Sequence, residues 1–323
     1  MLKPLLWVMA LLAGLAPASA ETYPARPITM VVPFTAGGPS DAIARLIGQS
    51  MSSTLGQQIL IENTAGAGGT VGAARVAKSD PDGYALLIAH VALPASASLY
   101  RNLPYDTATA FEPLGLVNFG PMVLATRKDY PAADVKALLA RLKQEGPKTS
   151  VANAGIGSNA HLCGLLLQQA LGTKFTEVAY RGTGPAMNDL MGGQVDMLCD
   201  QSTNAVPQIE GGTVKGFAVT SAKRLGVLKD LPTLQEAGLT GFESVIWHGL
   251  YAPKGTPPDT VAALNRALRI ALADPNIRSR FAAVGTDIYP EAELTPAAHQ
   301  ARFLAELAKW KDAIARAGIS VGN

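Results

Sequence analysis

The sequence predicts an α/β protein built as two lobes. Three observations carry that prediction. Residues 28–33 and 150–152 are short apolar runs, each followed by a glycine-rich loop and then by a helix with an apolar face, at 41–51 and 159–170. Apolar strands that alternate with helices imply parallel strands joined by crossovers, with layers of helix over sheet. The chain has 323 residues, enough for about two domains at roughly 100–200 residues each. It is also 48% hydrophobic and only 16% charged, so it fills sizeable cores and is not a disordered chain.

Taken in order, residues 28–33 read as a strand, Thr35 to Ser40 as a loop and 41–51 as a helix. A strand at 58–62 leads into a second glycine loop at 63–69 and an alanine-rich helix at 69–78. The turn Pro81-Asp82-Gly83 precedes a buried strand at 84–89, and 93–100 reads as a helix. Strands at 114–117 and 122–126, with 118–121 between them, mark the passage into the second lobe. An amphipathic helix at 134–144 is capped by Asp134 and broken by Gly146-Pro147. After the central strand, loop and helix come a strand at 176–179, a loop at 180–185 and a helix at 186–191. A strand at 195–199, a helix at 203–210 and a strand at 216–220 complete the unit. Residues 231–237 read as a short helix stopped by Gly238, and 245–251 as a strand. Helices at 258–271, 276–284 and 295–317 close the chain, the last opened by the cap Thr295 and Pro296.

The N-terminus reads as an export signal. Lys3 supplies a brief positive start, residues 5–15 are apolar but too short to span a bilayer, and Ala18-Ser19-Ala20 is a small-residue cleavage pattern. Residues 1–20 are therefore expected to be a signal peptide cleaved after Ala20, leaving an exported, soluble chain that begins at Glu21. Export permits disulfides. Cys163 and Cys199 are either bridged, if the helix and strand that carry them are neighbours, or two buried free thiols. Two isolated cysteines and four scattered histidines match no metal-ligand spacing. A net charge of +2 without a basic block argues against nucleic acid, which demands clustered Lys and Arg.

The two glycine loops point to a small anion. Glycine lets the backbone approach a ligand closely, and a loop that feeds a helix start presents unpaired N–H groups and the positive end of the dipole. Neither loop contains a lysine, so the donors are backbone amides. Ser158 and Asn159 stand where the second helix begins and are able to cap it. Asp41 either braces the first loop by accepting its N–H groups or is a solvated first-turn acid. His161 reads as a packing residue one turn into the helix. A Ser158–His161 hydrolase is a weak alternative, because residues three apart on one helix seldom give attack geometry and no G-x-S-x-G elbow is present. The strongest rival is a dinucleotide enzyme: Gly155-Ile156-Gly157-Ser158-Asn159-Ala160 fits G-x-G-x-x-A, with Glu177 about twenty residues on. Export and the second glycine loop argue against it.

Several runs, in order along the mature chain, resemble the Bug family of periplasmic solute receptors that serve tripartite tricarboxylate transporters. They are Tyr23-Pro24 with Arg26-Pro27, Ala36-Gly37-Gly38 with Asp41, Glu62-Asn63 with Gly66-Ala67-Gly68-Gly69, Pro81-Asp82-Gly83-Tyr84, and Leu103-Pro104-Tyr105-Asp106. The second half adds Gly155-Ile156-Gly157-Ser158 with His161-Leu162, Tyr180-Arg181-Gly182 with Gly184-Pro185-Ala186, and Gly192-Gly193-Gln194-Val195-Asp196. Leu231-Pro232-Thr233 with Glu236-Ala237-Gly238, then Trp247 with Ala252-Pro253, complete the set.

The resemblance implies a type II-like periplasmic binding protein with a ligand cleft between its lobes and a hinge of two crossings. Residues 21–123 with 232–323 form lobe 1, and 124–231 form lobe 2. It implies a receptor without catalysis or cofactor, a monomer, that captures a small organic carboxylate and hands it to membrane permease subunits. A dicarboxylate or an aromatic acid is the expected ligand. Thr35, Ala36, Gly37 and Gly38 with Asp41, and Gly155, Gly157, Ser158 and Asn159, would hold one carboxylate through amides and ordered water. Thr183 belongs to a third loop in the same cleft, while His90, Asp200 and Trp247, with Val91, Phe119 and Ser202, fall on the ligand-specific surface. Two residues depart from the family pattern: Arg181 replaces a lysine, and Thr183 replaces a common glycine and adds a hydroxyl.

Overall fold

The computed structural model describes residues 23–320, so the expected signal peptide and its cleavage site lie outside the described residues. The first half runs β1 (Ile28–Val32), α1 (Pro39–Leu55), β2 (Ile59–Asn63), α2 (Thr70–Ala77), β3 (Ala85–His90), α3 (Ala92–Leu99) and β4 (Phe111–Arg127). Next come α4 (Val135–Glu145), β5 (Ser150–Asn153), α5 (Asn159–Leu171), β6 (Thr176–Ala179), α6 (Thr183–Met191), β7 (Met197–Gln201), α7 (Ser202–Glu210) and β8 (Val214–Val219). The chain ends with β9 (Val245–Pro253), α8 (Pro258–Ala273), α9 (Pro275–Ala283) and α10 (Pro296–Ala317). Among the described residues no helix is long and apolar enough to cross a membrane.

The strands follow the order β2-β1-β3-β9-β4-β7-β5-β6, with β8 also on β4. β1 pairs in parallel with β2 and β3, and β5 with β6 and β7. Both lobes are therefore α/β units, as the two strand–loop–helix runs predicted. β1 and β3 are almost wholly buried, which explains why they read as unbroken apolar runs rather than alternating ones. β9 runs antiparallel to both β3 and β4 and closes one unit.

The link between the lobes differs from the sequence reading. Residues 114–117 and 122–126 are one strand, not two: β4 spans 17 residues, long enough to reach about 55 Å at ~3.4 Å per residue. Its first part, Phe111 to Pro121, pairs with β9, and from Met122 onward it pairs with β7 and β8. Asn118-Phe119-Gly120-Pro121 resembles a turn locally, yet tertiary partners hold it extended. Phe119 exchanges backbone hydrogen bonds with Asp287 at 2.8 and 2.7 Å, and Asn118 Nδ2 donates to Thr286 Oγ1 at 2.7 Å. Pro121 lacks an N–H but occupies the last rung before β4 changes partners. A second connection returns beside it, where Ser244 N–H donates to Thr220 O and Thr220 Oγ1 accepts from Met122 N–H.

Two further differences matter. Residues 231–237 form turns rather than a helix. The reciprocal cap is present, with Thr233 N–H on Glu236 and Glu236 N–H on Thr233 Oγ1. Leu234 N–H, however, donates to Val219 O, which draws the segment against β8, and Gly238 turns the chain away at φ 107°. The strand expected at 195–199 lies two residues later, because Asp200 and Gln201 pair with Val123 and Met122 of β4. The cysteine question is settled: α5 packs on β7, and Cys163 is bridged to Cys199 with a Cα–Cα distance of 6.3 Å.

Candidate functional site

Three helix starts converge where β4 passes between the lobes. Among them lies a small cavity of about 30 Å³. From the first lobe come Gly38, Pro39 and Ser40 at the start of α1, with His90 at the end of β3. From the second come Ser158, Asn159 and Ala160 of α5, Thr183 of α6, and Asp200 and Gln201 of β7. Phe34, Met122, Ala154 and Ile246 supply the apolar wall.

Hydrogen bonding sorts the loop amides into two groups. Gly37 N–H donates to Asp41 Oδ2 at 3.1 Å, Gly155 N–H to Asn153 Oδ1 at 2.9 Å, and Gly157 N–H to His161 Nδ1 at 3.2 Å. These amides shape their loops, and the positive φ of all three residues suits glycine. At the start of α1 the N-cap Gly38 has no capping side chain and Pro39 has no N–H. In α5, Ser158 Oγ accepts only from His161 N–H. Among the described residues the N–H groups of Ser40 and Asp41 in α1, and of Asn159 and Ala160 in α5, have no protein partner. Two orphan pairs, each at the positive end of a helix, thus remain for a ligand.

The side chains around them are fixed. Asp41 braces the first loop, since it accepts from Gly37 N–H, Arg45 Nε and Asn63 Nδ2. Burial pushes its carboxyl up, but those bonds and the Arg45 charge hold it below the usual range. His90 stacks on Phe34 with centroids 4.8 Å apart, and its Nδ1 accepts from Ala92 N–H, so the neutral ring carries its proton on Nε2. Burial lowers this imidazole to about 3. His248 Nε2 lies 3.0 Å from Ser40 Oγ and orients that hydroxyl from 208 residues away. Burial, then the neighbouring His90, keeps His248 neutral. Asp200 is 1% exposed; burial lifts its carboxyl to about 6 against the pull of Asn204, Gln201 N–H and Thr183.

The lobes touch on both sides of the cavity. Tyr100 OH donates to Ile156 O at 2.6 Å, across the cleft. Gly68 lies so close to Ile156 O, and Gly182 to Thr35, that a Cβ on either glycine would overlap the facing atom. Bare backbone on these rims is what lets the halves meet.

Of the residues expected at the ligand, Gly38, His90, Ser158, Asn159, Thr183 and Asp200 line the cavity. Thr35, Ala36, Gly37, Gly155 and Gly157 lie in the loops behind the lining, and Asp41 supports one of them. Trp247 lies elsewhere. Alternation along β9 turns Ile246 toward the cavity and His248 toward Ser40, so Trp247 faces the opposite side, edge-on to His299 and near Arg302. Phe119 packs on Tyr289, and Ser202 Oγ donates to Gly285 O. Sequence reading missed Phe34, Met122, Ala154, Ala160, Gln201 and Ile246. Met122 lies inside β4 where it changes partners, Gln201 and Ile246 lie near strand ends beside it, and none of the three carries a local signal.

Neither enzymatic alternative has its machinery. Glu177, the acid a dinucleotide site would need, is engaged by His161 Nε2 and Gln168 Nε2. Ser158 Oγ meets the backbone of His161, not its ring.

A two-lobe α/β molecule whose helix starts from both lobes face one cavity, with no lysine or arginine in its lining, is a solute-binding protein of the periplasmic type. Residues 43–319 match the family model described as tripartite tricarboxylate transporter family receptor. A protein of Agrobacterium vitis, the UPF0065 protein in the TAR-I ttuE-ttuC' intergenic region, is 47% identical over 298 residues, 92% of this chain and 86% of the relative. The structure of periplasmic binding protein BugD superposes with TM-score 0.89 at 46% identity, covering 92% of this chain and 99% of its own. MatC (Rpa3494) from Rhodopseudomonas palustris with bound malate gives 0.88 at 40% identity, covering 90% and 100%. R. palustris Rpa4515 with adipate gives 0.87 at 33%, covering 92% and 99%. The chain belongs to the tripartite tricarboxylate transporter receptor family, whose members include the Bug proteins. It is a periplasmic receptor, not an enzyme.

Proposed function

We propose that this chain captures a small dicarboxylate between its lobes and delivers it to the membrane subunits of a tripartite transporter. The observation that carries this reading is the pair of orphan N–H groups on α1 and the matching pair on α5, at one cavity without a lysine or arginine in its lining. Hydrogen bonds to a charged group contribute roughly 1.5–3 kcal/mol each, and each helix end adds about 0.3–1 kcal/mol. Four donors and two helix ends together supply about 7–14 kcal/mol before the ordering cost of association, the order of magnitude that micromolar affinity requires. Bound malate and adipate in two relatives support the dicarboxylate class. Of the side chains that suggested an aromatic acid, Phe119 and Trp247 lie away from the cavity, while His90 lines it, stacked on Phe34.

Gly38, His90, Ser158, Asn159, Thr183 and Asp200 contact the ligand in this reading, while Thr35, Ala36, Gly37, Asp41, Gly155 and Gly157 shape the loops. Residues 21–123 with 232–323 move as one lobe and 124–231 as the other, about β4 and its neighbour segment. The ligand draws them together because its oxygens bridge donors from both. The receptor acts as a monomer, released after cleavage at Ala20. A thermal-shift panel of four- to six-carbon dicarboxylates and their dimethyl esters tests this. Acids should raise Tm and esters should not; a cleft that responds equally to both does not bind through carboxylate.

A further inference from the structure

The cavity is chemically polarised. Its α1 and α5 starts present N–H donors, whereas the end of β7 contributes Asp200 to the lining. That carboxylate is buried, and no lysine or arginine lines the cavity with it. Its protein partners are Gln201 N–H on Oδ1 at 2.8 Å, Asn204 Nδ2 on Oδ2 and the Thr183 hydroxyl. A carboxylate has about four acceptor positions, so these partners leave capacity on a group that faces the ligand space. Next to it, the Gln201 amide meets Thr203 Oγ1 with one end and has no partner at the other, whichever way it is turned. A second ligand carboxylate placed against Asp200 would bury two like charges side by side, whereas a hydroxyl or ammonium hydrogen would complete its shell.

Resting on the carboxylate-receptor reading above, we propose that Asp200 determines specificity by accepting a hydrogen bond from the ligand, so that the favoured ligand is a hydroxy- or amino-substituted dicarboxylate. The helix starts capture one carboxylate in common with any acid of the class. Asp200 then distinguishes acids that carry a donor from acids of the same length that do not. Its burial raises the carboxyl to about 6, which marks a group short of compensating partners in the ligand-free cavity.

The test is calorimetric titration of the mature protein at about pH 8, where Asp200 is ionised, with matched acids. Succinate and methylsuccinate lack the donor, malate and aspartate carry it, and glutarate, 2-hydroxyglutarate and glutamate repeat the comparison one carbon longer. In one of the two length series, at least one donor-bearing acid should bind about tenfold or more tightly than its unsubstituted partner. Asp200→Asn supplies an N–H₂ in place of the acceptor, so it should erase that preference and strengthen succinate or glutarate. Equal affinity for donor-bearing and unsubstituted acids in both series overturns the proposal without any variant. Retention of the preference by a folded Asp200→Asn protein also overturns it. If no acid in either series gives a heat of binding, the carboxylate-receptor reading itself fails, and this inference with it.

Discussion

Replacing Gly182 with alanine adds one methyl group on the rim of the second lobe. Gly182 has an extended backbone, φ 173°, that alanine adopts without strain. The new Cβ would overlap Thr35 Oγ1 and stand 3.0 Å from Thr35 N and 3.2 Å from Thr35 Cβ, all on the other lobe. The hydroxyl has no hydrogen-bond partner and is free to swing away, but the Thr35 backbone is not. Overpacking of this kind costs about 1–3 kcal/mol, and here only the closed form bears it. Ligand affinity should therefore fall roughly 5- to 150-fold at 1.4 kcal/mol per decade. The ligand-free protein should unfold at the same temperature or slightly higher, since alanine narrows the unfolded ensemble by about 0.4–1 kcal/mol. Calorimetric titration reads the affinity, and X-ray scattering reads the ligand-induced contraction. Wild-type affinity together with wild-type contraction would refute closure through this contact.

Asp41→Ala removes the acceptor of Gly37 N–H and Asn63, so affinity should fall about tenfold and stability by ~1–3 kcal/mol, although Asp41 does not line the cavity. Titration and thermal unfolding check the two losses. Trp247→Phe should lower stability by about 1–2 kcal/mol and leave Kd within about twofold, because the indole faces away from the cavity. A large change in Kd would return Trp247 to the ligand. Stability should also fall on acidification. His90 and His299 are held at about 3 by burial, so their neutral forms stabilise the fold above 6.5, and this is lost as pH drops. Between pH 7 and 5 each loses about 2 kcal/mol, and His248 acts in the same direction. Asp200 opposes them: its carboxyl, raised to about 6, favours the fold below that pH and returns about 1 kcal/mol. Scanning calorimetry of the ligand-free protein should show Tm declining from pH 7 to 5; a flat or rising Tm contradicts the histidine assignments.

Local patterns made much of this molecule readable. β1 and β5 are buried between helices, so they appear as apolar runs, and the glycines after them mark the turns into α1 and α5. Asp134 and Thr295 cap helices where the sequence places them, with bonds to Ala137 and Ala298 N–H. The rest depends on distant partners. Residues 118–121 look like a turn until Asp287 and Thr286 hold them extended. Residues 231–237 have a helix cap, yet Leu234 bonds to β8 and the helix never extends. The polar pair Asp200-Gln201 reads as loop because nothing local shows that β4 lies beside it. The same holds in the site. Glycines 37, 155 and 157 announced backbone amides, but only the fold shows that their own N–H groups are occupied and that the amides one or two residues into each helix are free. The resemblance put Trp247 on the ligand-specific surface, and one step of strand alternation from Ile246 sends it to the opposite face.

The most direct measurement is a crystal structure of the protein with whichever dicarboxylate gives the largest thermal shift. The expected result is one carboxylate within about 3 Å of N–H groups from both helix starts, Ser40 or Asp41 on one side and Asn159 or Ala160 on the other. A carboxylate paired with an arginine or lysine, or bound by one lobe alone, would contradict capture by converging backbone amides.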